Sequence, residues 1–129
     1  MTDRRQVATA VVVIALLLFA SACSTDAPSS YRGPSDLLGL ALETARSSFP
    51  EDATVLIQDV SPVVELDASY QDGVADDRWT VVSACSSADL IADSDLVEVA
   101  VIPSGAFTPA VEERMNDGEF RDAVTSCEG

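Results

Sequence analysis

Three short apolar runs between residues 54 and 102 have the pattern of β-strands. They are rich in Val, Ile and Thr and are bounded by polar segments, as strands usually are. In the last run Val97, Val99 and Val101 alternate with Glu98 and Ala100, the period-two pattern of a half-buried strand. The sequence therefore predicts strands at TVLIQDV (54–60), WTVVSAC (79–85) and LVEVAVI (96–102).

A helical period precedes these strands. Apolar residues recur at helical spacing and would form one stripe: Leu38, Ala41, Leu42, Ala45 and Phe49. Such a stripe can form a groove for a partner, but far more often it packs on the chain's own sheet, which we expect here. Ser35 is a candidate N-cap, and Pro50 ends the pattern.

The C-terminal part also carries helix signals. Thr108 and Pro109 form a capping residue followed by proline at the first helical position, and Asp117-Gly118 gives a stop. A last short helix is predicted through FRDAVTSC (120–127). The fold class expected is α+β, a small domain with one main helix packed on a three-stranded sheet, plus short C-terminal helices.

The first 22 residues have the layout of a signal peptide. A basic start, TDRR, precedes an apolar run and the small residues Ala20-Ser21-Ala22 before Cys23. This stretch resembles the lipobox of bacterial lipoproteins, which implies that Cys23 is lipidated and becomes the new N-terminus. Ala20-Ser21-Ala22 also fits ordinary A-x-A cleavage, which would leave no lipid. A membrane-spanning anchor is disfavoured because the apolar run is short.

Cysteine parity favours lipidation. Three cysteines in an exported protein leave one without a partner. A lipidated Cys23 accounts for the odd thiol, and Cys85 and Cys127 can then form a disulfide. The segment from 23 to 33 is rich in Ser, Pro and Gly and is interpreted as a lipidated tether.

The charge and the residues that are missing exclude several functions. The chain has a formal net charge of −15, so nucleic acid is not an expected partner. It contains neither His nor Lys, which excludes Ser-His-Asp, Cys-His and Ser-Lys catalysis and zinc sites built on His. Two remaining cysteines cannot provide an all-thiolate zinc site. We expect no enzyme activity, no metal and no cofactor.

Three further sets of residues resemble sites only superficially. The acidic segment with Asp67, Asp72, Asp76 and Asp77 does not match the spacing of a calcium loop, because Gly73 is one position late and position 12 is Arg78. Adjacent Glu112 and Glu113 would point to different sides of a helix, unlike a catalytic carboxylate pair. Trp79 could stack on a sugar ring, but a tryptophan that opens an apolar strand is more often core.

Residues 34–103 resemble a PASTA domain, the module named for penicillin-binding proteins and serine/threonine kinases. The matching positions are Pro34, Asp36, Leu37, Leu38, Gly39, Leu42, Ala45 and Phe49, then Val81, Val82 and Ser83. Departures from the family pattern are Ser35, Ala41, Ala84, Ser86 and Asp89. The resemblance implies a strand up to Gly39 and a helix from about Ala41, whereas period and capping alone allow a helix from Asp36. It also implies recognition of peptidoglycan or a related wall component. The matching positions are chiefly structural, so the resemblance assigns no ligand-binding residue in this chain.

The predicted organisation is a signal peptide (1–22), a lipidated tether (23–33), a PASTA-like module (34–103) and a helical extension (104–129) linked to the module by the disulfide. We expect a lipid-anchored binding module at the outer face of the cell membrane, where it recognises a wall component. The alternative is an accessory lipoprotein that docks on an envelope membrane protein and binds no small ligand. The ligand-binding residues cannot be assigned from the sequence.

Overall fold

The structure is a computed structural model, and it describes residues 33–127. The predicted signal peptide, the lipidation site Cys23 and the tether up to Arg32 lie outside the described residues. The predictions made for them therefore stay predictions.

A mixed three-stranded sheet forms the centre of the domain. Its strands are β1 (Thr54–Asp59), β2 (Trp79–Ser86) and β3 (Leu96–Pro103), in the order β1-β3-β2. Strand β3 pairs parallel with β1 and antiparallel with β2. All three strand predictions are confirmed to within one residue at each end.

A bulge in β2 changes which face its later side chains occupy. Val81 pairs with Val101, but the next paired residue, Ser83, lies opposite Ala100, so Val82 is an extra residue in the ladder. Val81 and Val82 lie on opposite faces, as neighbours in a strand do, and after the bulge Ala84 returns to the first cluster while Cys85 packs on the second. An extra residue of this kind shifts the side-chain alternation along the strand.

The first face is covered by α1 (Leu42–Arg46). Leu42 and Ala45 are fully buried against the sheet, which confirms that the helical stripe is core. The helix is shorter than its pattern, and a start at Asp36 is wrong because Gly39 has φ +86°, which a right-handed helix does not allow.

The segment before α1 also differs from both expectations. A 3₁₀ turn spans Pro34–Leu37, so Ser35 lies inside this turn and is not the cap of α1. In place of a strand up to Gly39, a single antiparallel bridge joins Ala41 to Thr80. The helix then begins at Leu42, close to the start that the PASTA resemblance implies.

The second face is covered by α2 (Pro109–Asn116) and the residues that follow it. The predicted cap is confirmed, since Thr108 Oγ1 accepts a hydrogen bond of 3.3 Å from the Val111 amide. The predicted last helix is only a 3₁₀ turn at Arg121–Ala123. Because this layer buries Ala100 and Ile102 completely, the prediction that β3 is half-buried is wrong.

Helical segments thus lie on both sides of one sheet, and the predicted α+β class is confirmed. Residues 104–127 bury Val111, Met115, Phe120 and Val124 in the second cluster. Within residues 33–127, no helix has the length and apolar character needed to cross a bilayer.

Candidate functional site

An open groove of about 520 Å³ lies between the turn that follows β1 and the start of α2. Most of its lining is apolar, with Glu65, Thr108 and Arg114 as its charged or hydroxyl-bearing side chains. The apolar side chains that line it are Val64, Leu66, Pro103, Ala106 and Val111. A volume of this size lies within the usual range for ligand sites.

Exposed hydrophobic side chains mark the same place. Leu66, which lines the groove, is 44% exposed, and Val63, next to Val64, is 45% exposed. The other large exposed hydrophobic residue in the described part of the chain is Val74, at 53%, which does not line the groove. A second groove of about 420 Å³ lies beside the disulfide, but none of these three residues lines it.

Asp59 at the end of β1 fixes the wall of the groove that follows this strand. Its Oδ1 accepts hydrogen bonds from the amide and hydroxyl of Ser61, and its Oδ2 accepts from the amides of Ser69 (2.6 Å) and Tyr70 (2.8 Å). Partial burial by itself would raise the pKa of Asp59, but these hydrogen bonds outweigh it and hold the pKa below its ordinary value. The ionised carboxylate therefore ties both ends of the segment from 61 to 70 to the strand.

The free energy of unfolding is expected to fall at acid pH as Asp59 becomes protonated. Because folding lowers the pKa of Asp59, its contribution is present above the unfolded-state pKa, about 3.9, and is lost as pH falls through the folded-state value. Asp59→Asn should lower the free energy of unfolding at neutral pH by about 1–2 kcal/mol and flatten its decline below about pH 5. Denaturant unfolding at a series of pH values measures this effect. Asp52→Asn, at an exposed carboxylate, is the control, and equal profiles for the two variants would contradict the assignment.

Arg114 of α2 joins the two walls of the groove. Its Nη2 donates to the backbone carbonyl of Val63 (3.3 Å), and its Nε donates to Glu119 Oε1 (3.2 Å). The guanidinium also lies over the ring of Phe120, 5.6 Å from the centroid, within the range of a cation–π contact. These contacts join α2 to the turn that follows β1 on one side of the groove.

The acidic segment considered for calcium is held by an arginine instead. Arg46 Nη2 donates to Tyr70 Oη (2.8 Å) and Asp72 Oδ1 (2.7 Å), and Arg46 Nε lies 2.6 Å from Asp76 Oδ2. Burial lowers the pKa of Arg46, but the hydrogen bonds and the nearby charges of this cluster outweigh it and raise the pKa above its ordinary value. No group of acidic or cysteine side chains in residues 33–127 is arranged to hold a metal ion. Sequence reasoning missed the role of Arg46, because only the fold brings it to these carboxylates.

The two cysteines predicted to pair lie in a disulfide. Cys85 on β2 and Cys127 have Cα atoms 6.0 Å apart and bonded sulfur atoms. Beside them Glu98, which is 1% exposed, accepts hydrogen bonds of 2.8 Å from Gln58 Nε2 and from the Ser126 amide. Cys85 Sγ lies 3.9 Å from Glu98 Oε1, but a disulfide sulfur has no proton to donate. Glu98 therefore pins the segment that carries Cys127, a role that the alternating pattern of β3 did not indicate.

Trp79, Glu112 and Glu113 do not line the groove. Trp79 is 7% exposed in the first core cluster and meets Tyr70 edge to face at 5.2 Å, so its ring is core and is not free to stack on a sugar. Glu112 and Glu113 are exposed on α2.

Comparisons with known proteins gave no relatives. No family model matches the chain, and neither a curated protein nor a solved structure matches it.

Proposed function

We propose that this protein is a non-catalytic binding module of the cell envelope, anchored by a lipid at the outer face of the membrane. The observation that carries the proposal is the open, mainly apolar groove of about 520 Å³ with exposed Leu66 at its edge. Most of the side chains that line the groove are aliphatic and cannot act as nucleophiles or bases. The chain also lacks the His and Lys that activate most nucleophiles. Recognition without turnover is the activity that such a groove supports.

The anchor is proposed at Cys23, on the lipobox-like sequence and the odd number of cysteines. Metabolic labelling with a fatty-acid probe is expected to label the wild-type protein and not Cys23→Ser. Because the lipobox resemblance implies two acyl chains on this cysteine, and two chains anchor a protein stably, the wild type should fractionate with membranes. An unlabelled protein released to the medium would instead establish ordinary A-x-A cleavage.

The resemblance to PASTA domains makes peptidoglycan the first ligand to test. The purified full-length protein is expected to sediment with insoluble peptidoglycan, and Leu66→Ser is expected to reduce the bound fraction. Val74→Ser, which changes another exposed hydrophobic residue that does not line the groove, is the control. Since a charge of −15 is repelled by anionic wall polymers, binding should persist or strengthen as salt screens the repulsion. Absence of sedimentation at every salt concentration would overturn recognition of the wall.

The second candidate is an accessory lipoprotein that docks on a membrane protein. Exposure of Val63 and Leu66 beside one groove favours it, because apolar side chains at protein interfaces are often exposed in the free partner. Crosslinking from intact membranes, with the same two variants, separates the candidates. Recovery of a defined membrane protein by the wild type and Val74→Ser, but not by Leu66→Ser, would establish the accessory role.

A further inference from the structure

We propose that the groove receives a short polypeptide segment of a partner protein, in which a large apolar side chain is flanked by Lys or Arg. The proposal rests on the binding role proposed for this groove and names the chemistry of its occupant. Two independent observations lead to it, the acidic charge balance of the chain and the apolar surface within the groove.

The charge favours a cationic partner. The chain carries seven basic and 22 acidic residues, and two of its arginines are already paired, Arg46 with Asp72 and Asp76 and Arg114 with Glu119. A surface with this balance attracts cations over distances of about one Debye length, about 8 Å at physiological salt. Lys or Arg in the partner would therefore speed and strengthen the encounter.

An exposed carboxylate also lies in the lining of the groove. Glu65 lines the groove and is exposed, and the one basic side chain in the lining, Arg114, is already paired with Glu119. A cation that flanks an apolar anchor would meet the Glu65 carboxylate at the surface, where both charges stay hydrated and are not forced into a dry site.

The surface within the groove favours an apolar anchor. Leu66 is partly exposed while Val111 is buried beneath the surface, and Val64 and Ala106 extend the same apolar lining. A large aliphatic or aromatic side chain that fills this space removes apolar area from water on both partners.

Other occupants fit less well. A second copy of this chain would bring another net charge of −15 against the first, and an anionic wall polymer meets the same repulsion. A small polyamine matches the charge, but it has only short methylene spacers between its ammonium groups and no large apolar side chain to fill the groove. A basic segment with an apolar anchor satisfies both properties.

The test measures binding of short fluorescent peptides to the full-length protein by anisotropy. The probe has a central Leu-Phe pair flanked by lysines, and its two twins have either glutamates in place of the lysines or a Ser-Ser pair in place of Leu-Phe. At low ionic strength we expect the probe to bind at least about tenfold more tightly than either twin. Its affinity should fall as ionic strength rises from about 0.01 to about 0.15 M, because the Debye length falls from about 30 to about 8 Å.

Two variants show whether the peptide uses the groove. Leu66→Ser is expected to weaken binding of the probe by about tenfold, whereas Val74→Ser should leave it unchanged. Equal affinities for the probe and either twin, or equal effects of the two variants, would overturn the proposal. If peptidoglycan sedimentation is then still sensitive to Leu66→Ser, the groove binds a wall component and only the inferred partner is wrong. If both assays are insensitive, the binding role of the groove is also wrong.

Discussion

Replacing both Cys85 and Cys127 by serine is expected to lower the free energy of unfolding by about 4 kcal/mol. The disulfide closes a span of 42 residues, so it removes many conformations from the unfolded chain. The loss is a large share of the total, because domains of this size are stable by only about 5–15 kcal/mol. Denaturant unfolding of the oxidised wild type and the double variant measures the difference.

Two controls separate the disulfide from other effects of the substitution. Reduced wild-type protein should unfold at the same denaturant concentration as the double serine variant, since both lack the crosslink. Cys23→Ser should leave the unfolding midpoint unchanged, because it replaces the cysteine expected to carry the lipid. Two freely alkylated thiols at Cys85 and Cys127 in native, unreduced protein would contradict the pairing.

Phe120→Ala is expected to lower the free energy of unfolding by about 3–5 kcal/mol. Phe120 is 2% exposed and packs with Val82, Ile102 and Met115 against the second face of the sheet. Truncation leaves a cavity in this cluster and removes the ring beneath the Arg114 guanidinium. Thermal and denaturant unfolding give the measurement.

Leu66→Ala is the control for this substitution. Its side chain is already partly exposed, so we expect a change within about 0.5 kcal/mol. A loss below about 1 kcal/mol for Phe120→Ala would mean that the C-terminal layer contributes little to the core, contrary to its burial.

These two predictions also bear on function, because the C-terminal layer forms one side of the groove. Val111 and Arg114 lie on α2, and the chain after this helix is fastened to the sheet by Phe120, by the hydrogen bond from Ser126 to Glu98 and by the disulfide. Loosening these attachments gives the groove more conformations, so binding would require more ordering.

The elements that sequence reasoning located well are those specified by neighbouring residues. The strands are apolar, β-branched runs between polar loops, and α2 (Pro109–Asn116) lies between the predicted cap Thr108 and the predicted stop at Asp117. Capping, proline geometry and β-branching act over a few residues, so a local pattern is sufficient to find them.

The apolar pattern predicted a longer helix than α1. The apolar stripe from Leu38 to Phe49 reports which residues are buried, and Leu42 and Ala45 are indeed core. It does not report backbone conformation, and Gly39 with φ +86° places the chain in a turn before the helix. The stripe therefore predicted the buried face correctly and the helix boundaries wrongly.

By itself, the sequence determined the α+β class, the strands and the C-terminal helix of this protein, and cysteine parity indicated the pairing of Cys85 with Cys127. Only the tertiary structure decided the strand order, the second buried face and the groove. The two walls of the groove meet where Arg114 donates to the carbonyl of Val63, 51 residues away in sequence. In the acidic segment, Arg46 donates to Tyr70, 24 residues away. Such contacts depend on how whole elements pack, because a periodic pattern specifies which side of an element is buried and leaves open which distant segment covers it.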